Sequence, residues 1–192
     1  MMPMKLICIG DSITYGYGVN RSQVWTKLME IKLNVEVINK GVSGDTTGGM
    51  LSRIYYDVIL NNPTHAIIMG GTNDLIWNVN IHQIEANLAA MAFQIMQNNI
   101  IPVFALSIPI CENIVQKKWG FIGRFDNINS DIIKLNQWIR TFSENYNINV
   151  INFYPLFYMD DGNIDEKYYI DGLHLNRYGH EKMAEIINLE DY

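Results

Sequence analysis

Three residue types that together make an activated hydroxyl stand at opposite ends of this chain. Ser12 lies in Gly10-Asp11-Ser12-Ile13, directly after the apolar run Leu6-Ile7-Cys8-Ile9. Asp171 and His174 lie in Asp171-Gly172-Leu173-His174, near the other terminus. A carboxylate three residues before a histidine can, in a turn, bond one ring nitrogen and fix the tautomer. The other nitrogen is then free to take a proton from a serine hydroxyl. A serine activated in this way attacks carbonyl carbon. Singly, each residue has a plainer reading. Gly-Asp-Ser is a common turn or helix cap, and Asp-Gly is a common turn pair.

Acyl transfer also needs donors for the oxyanion that develops. Gly44, in Gly41-Val42-Ser43-Gly44-Asp45, can offer an unshielded N–H, and Asn73, in Gly70-Gly71-Thr72-Asn73-Asp74, a side-chain amide. The Ser12 N–H is a third candidate. Each well-placed donor lowers the barrier by roughly 3–4 kcal/mol. Gly44 also reads as a helix-entry turn, and Asn73-Asp74 as a cap. Asp11 reads as a brace for the serine loop, and Asp45 and Asp74 as caps or braces. His65, His82 and His180 read as structural or solvated. Trp77, Trp119, Phe121 and Phe125 lack helical periodicity and are candidates for a substrate pocket.

These residues come together only if the elements between them place them so. Residues 5–9, 35–39, 65–69, 101–106 and 149–152 read as short buried strands bounded by turn residues. Helical patterns fill residues 21–33 (Val24, Leu28 and Ile31 on one face), 46–61, 80–98, 130–146 and 176–188. Strands alternating with helices imply right-handed crossovers and a mostly parallel sheet covered on both faces. The expected fold class is α/β, a five-stranded, flavodoxin-like three-layer α/β/α sandwich. Its ligands bind beyond the strands' carboxyl ends. The four patches follow four of the strands and should meet at that edge. Residues 107–129 and 153–169 read as long loops.

The chain has 192 residues, 48% of them hydrophobic, which fits a single domain over residues 1–192 with a full core. A net charge of −6 argues against a basic face for nucleic acid. The two cysteines, Cys8 and Cys111, make no disulfide framework or zinc spacing. No run approaches a membrane span. The stretch before Ser12 is too short for a signal-peptide core, so a cytoplasmic location without membrane insertion is expected.

The four patches together resemble the SGNH hydrolases, also called GDSL-type esterases and lipases. Gly10-Asp11-Ser12-Ile13-Thr14 is similar to the nucleophile block, with isoleucine in place of leucine. Gly44 is similar to the glycine block, Gly70-Gly71-Thr72-Asn73-Asp74 to the asparagine block, and Asp171-Gly172-Leu173-His174-Leu175 to the Asp-x-x-His block. The resemblance implies a carboxylic ester hydrolase that needs no cofactor and no metal. Ser12 would be its nucleophile, His174 its base and then acid, and Asp171 the orienting partner. Ser12, Gly44 and Asn73 would form the oxyanion hole. The implied partner is a small-molecule acyl ester, a short-acyl ester or acetylated carbohydrate in the first reading, a lysophospholipid or thioester in the second.

Two readings from other classes compete. A metallophosphoesterase needs several His and Asp ligands around two ions, and this chain has four histidines and no early Asp-x-His. A non-catalytic flavodoxin-like binding module would use Gly16-Tyr17-Gly18 as a phosphate loop. That stretch lacks the full dinucleotide fingerprint and a phosphate-loop lysine.

Overall fold

The computed structural model describes residues 3–188. Its elements run β1 (Lys5–Gly10), α1 (Ser12–Tyr15), α2 (Trp25–Leu33), β2 (Glu36–Gly41), α3 (Thr47–Asp57), β3 (His65–Met69), α4 (Thr72–Ile76) and α5 (Ile81–Gln97). They continue with β4 (Ile101–Ala105), α6 (Glu112–Trp119), α7 (Ile128–Tyr146), β5 (Asn149–Ile151) and α8 (Arg177–Glu185). The strands form one five-stranded sheet in the order β2-β1-β3-β4-β5, and every pairing is parallel. Antiparallel contacts among the described residues are confined to isolated bridges such as Tyr158 to Ile164.

The strand order positions the site. The chain starts at β1, moves outward to β2, then crosses back to β3 on the other side of β1. Ligand crevices form where the winding reverses. Here that point lies between the carboxyl ends of β1 and β3. The register is level, with Gly10 opposite Gly41 on one side and Met69 on the other. The loops after all three strands therefore leave the sheet from the same row.

Alternation along the strands splits the core into two layers. Ile7, Ile9, Ala66, Ile68 and Phe104 face α3, α5 and α7, whose Met50, Ile54, Leu88, Met91, Ile132 and Leu135 are buried against them. Leu6, Cys8, Ile67, Met69 and Val103 face α2 and α8, through Trp25, Met29 and Met183. Helices end on asparagine in the left-handed region at Asn34 (φ 52°) and Asn147 (φ 53°), a conformation asparagine tolerates better than most residues.

Several local expectations change. β2 is a half-exposed edge strand rather than a buried one, because only β1 pairs with it. The pattern over 21–33 is interrupted at Val24, whose extended backbone (ψ 138°) separates a 3₁₀ turn at Arg21–Gln23 from α2. With α2 starting at Trp25, its inward residues are Trp25 and Met29, and Ile31 is 65% exposed. The pattern over 46–61 ends as α3 at Asp57, with a separate 3₁₀ turn at Ile59–Asn61. The stretch 107–129 contains α6, whose Glu112 in the first turn and Lys117 and Lys118 in the last suit the helix dipole.

Candidate active site

The end of β1 and the start of α1 present Ser12. Asp11 caps α1 by accepting from the Ile13 N–H at 2.9 Å, and Ser12 is the first helical residue. Its N–H therefore has no carbonyl of its own helix to bond. Burial pushes the Asp11 carboxyl up from 3.8 to about 6; the Ile13 N–H and the nearby His174 oppose that, while Asp45 and Asp74 add to it. Asp11 touches the serine loop as a brace.

Ser12 and His174 come from opposite ends of the chain and meet, with Nε2 3.1 Å from Ser12 Oγ. His174 Nδ1 is 2.8 Å from Asp171 Oδ2. The other carboxylate oxygen accepts from the Leu173 N–H (3.0 Å) and the His174 N–H (2.8 Å). That double capture needs a tight turn, and Gly172 supplies it at φ +88°. Burial alone would push the Asp171 carboxyl up. The His174 side chain, the backbone N–H groups of His174 and Leu173 and the His174 charge together outweigh it, holding the group at about 2. Asp171 is thus an acceptor throughout the neutral range. All three side chains are buried.

Gly44 adopts φ +80°, and a Cβ built there would meet nothing within 4 Å. Backbone angle rather than lack of space calls for glycine here, and the position opens onto the pocket beside Ser12. Asn73 donates to the Asp45 carbonyl at 2.8 Å, which ties α4 to the Gly44 loop. An amide carries two such hydrogens, so one remains to donate. Asp74 accepts from the Thr47 N–H (2.8 Å) and hydroxyl (2.6 Å), joining α4 to the start of α3. Asp45 accepts from Arg53 Nε at 2.8 Å. Arg53 also donates to the Lys40 and Gly10 carbonyls, so one α3 side chain binds the ends of β1 and β2 and the Gly44 loop.

A cavity of about 260 Å³ brings Ser12, Gly44, Asn73 and His174 together with Trp77, Trp119 and Phe125. Phe121 does not join them; it is 84% exposed, and its neighbour Ile122 lines the wall instead. Tyr17, Ile76 and Leu173 also line the cavity, and none of them was a pocket candidate from the sequence. The Tyr17 ring lies 4.3 Å from the His174 ring, centroid to centroid. Its setting in Gly16-Tyr17-Gly18, five residues after Ser12, was the available signal. A larger open depression, about 730 Å³, lies between the start of α6 and residues 158–167 and holds none of these groups. His65, His82 and His180 lie outside the cavity; His82 pairs with Glu85 on the surface. Among the described residues no group of three or more His, Cys, Asp or Glu is arranged to hold a metal ion, and no helix is long and apolar enough to cross a membrane.

The profile of the GDSL-like Lipase/Acylhydrolase family matches residues 8–182. The chain belongs to that family. The chain shares 35% identity over 92 residues with Esterase TesA of Pseudomonas aeruginosa, covering 45% of this chain and 46% of that protein. It shares 34% over 92 residues with an arylesterase of Vibrio mimicus, at the same coverages. These matched stretches span about half the length of either relative. A solved structure of a G-D-S-L family protein from Desulfitobacterium hafniense DCB-2 superposes with a TM-score of 0.82 at 26% identity, over 95% of this chain and 96% of that one. In this family member the fourth motif position is Ile13, buried in the layer that also holds Val24 and Trp25. The leucine-to-isoleucine change is therefore a matter of packing shape.

Proposed function

We propose that this chain hydrolyses carboxylic esters through an acyl-enzyme, with Ser12 as nucleophile, His174 as proton carrier and Asp171 as its orienting partner. The observation that carries the reading is the unbroken Asp171–His174–Ser12 chain, 2.8 Å and 3.1 Å, opening on a cavity that also holds Gly44 and Asn73. His174 Nε2 takes the Ser12 proton as Oγ attacks the carbonyl carbon. The oxyanion accepts from the Ser12 and Gly44 N–H groups and the Asn73 amide. His174 returns the proton to the leaving alkoxide, and the alcohol departs. Water, deprotonated by the same ring, then releases the acid and restores Ser12.

The cavity wall favours a short, uncharged acyl group. Ile76, Trp77, Ile122, Phe125 and Leu173 give it apolar surface. The esterase and arylesterase named above are in keeping with ester hydrolysis. A fluorophosphonate should label Ser12 alone, as read by peptide mass spectrometry. A series of p-nitrophenyl esters of rising acyl length, run beside acetylated sugars, should peak at short acyl groups. Failure of the folded protein to form a Ser12 adduct would refute the nucleophile assignment.

A further inference from the structure

Trp119, the last residue of α6, touches the catalytic carboxylate as well as the cavity. Its Nε1–H donates at 3.1 Å to Asp171 Oδ2, the same oxygen that meets His174 Nδ1 at 2.8 Å. Its ring stands edge-on to the imidazole, with centroids 6.0 Å apart and planes at 73°. Two further bonds hold α6 to the same turn. The Cys111 N–H donates to the Gly172 carbonyl at 2.8 Å, and Lys118 Nζ to the Ile170 carbonyl at 3.1 Å. The packing is backbone to backbone, since a Cβ on Gly172 would lie 2.8 Å from the Val115 nitrogen and 3.0 Å from the Cys111 oxygen.

We propose that Trp119 is a positioning residue, whose N–H sets the rotation of the Asp171 carboxylate, and through it the aim of His174 at Ser12, while its ring forms substrate wall. The inference rests on the esterase reading above for its kinetic consequences, though not for the hydrogen bond itself. Two backbone N–H groups anchor only Oδ1. The carboxylate torsion is intrinsically broad, and Oδ2 otherwise meets the imidazole it has to aim, so its rotation calls for an anchor outside that pair. The indole N–H supplies one and, being a donor only, it cannot exchange a proton with the site. It also shares the charge of Oδ2 with His174. Removing it leaves that charge wholly to the imidazole, which favours the protonated ring. Asp11 and Tyr17 also face His174, and the Trp119 substitutions replace neither.

The test is Trp119→Phe, which keeps an aromatic wall and deletes the donor, beside Trp119→Leu, which deletes both. For Trp119→Phe, kcat on a short p-nitrophenyl ester should fall roughly tenfold with KM within about twofold, as expected for misaimed groups. The acid limb of its kcat/KM profile should move up by roughly half a pH unit. For Trp119→Leu, KM should rise as well. In the resting protein, the downfield proton resonance of the Asp171–His174 bond should shift in Trp119→Phe. An acid limb and resonance unmoved in Trp119→Phe, with only KM altered, would make Trp119 plain wall and overturn the proposal. If the wild type turned over no ester, the esterase reading would fall, and the resonance would still decide whether Trp119 holds Asp171.

Discussion

The meeting of Ser12, His174, Asp171, Gly44 and Asn73 at one edge of the sheet was legible in the sequence because their types are chemically specific and their patches follow strand ends. If they act as one unit, Ser12→Ala and His174→Ala should each lower kcat by roughly 10⁴-fold or more, and the double variant should be scarcely worse than either. Asp171→Asn should lower it by roughly 10⁴-fold, because an amide favours the wrong imidazole tautomer. Steady-state rates on one short ester check all of these; a loss under tenfold would remove that residue from the mechanism. Tyr17, Arg53 and the donor role of Trp119 were not legible. An aromatic or arginine side chain serves core, surface and site equally, and only its neighbours distinguish them. The exchange of Phe121 for Ile122 has the same origin. Past the end of α6, the course of the backbone decides which of two adjacent residues turns inward.

Long amphipathic elements were read well where their inward face recurred without interruption, as in α5 with Ile84, Leu88, Met91 and Ile95 buried. The short helices α1 and α4 were missed because four or five residues are too few to show a period. They nevertheless carry Ser12 and Asn73. Asp74 shows what fixes α4. It is buried, and burial raises its carboxyl while the Thr47 hydroxyl and N–H act against that rise. Asp74→Ala would leave both Thr47 donors without their acceptor, at a cost of about 2 kcal/mol. For a domain of this size that is a fall in Tm of roughly 4–8 °C. Calorimetry should show it, and an unchanged Tm would mean that the Thr47 bond does not fasten α4 to α3.

Two buried groups tune the stability of the whole fold in opposite senses. Burial holds His180 neutral, lowering it from 6.5 to about 4, and its Nδ1 accepts from the Trp25 N–H. Its contribution is full above pH 6.5 and is lost as pH falls through about 4. Asp11, raised from 3.8 to about 6, contributes below pH 3.8 and loses that contribution as pH rises through about 6. The two slopes oppose each other over the shared window. Asp11→Asn should therefore expose the histidine, with unfolding free energy falling by roughly 3 kcal/mol on acidification across its window. His180→Gln should do the reverse, becoming more stable as pH falls. Urea titrations at several pH values check both, and parallel curves for the two variants would refute the assignment. The amino-acid order alone was enough for the alternation of strands and helices, the parallel sheet and the types of the candidate site groups, because these follow from local periodicity and from side-chain chemistry. The distance from Ser12 to His174, the second duty of Trp119 and the lining of the cavity depended on three-dimensional packing. They join residues far apart along the chain, and no local pattern encodes how close two distant loops come to rest.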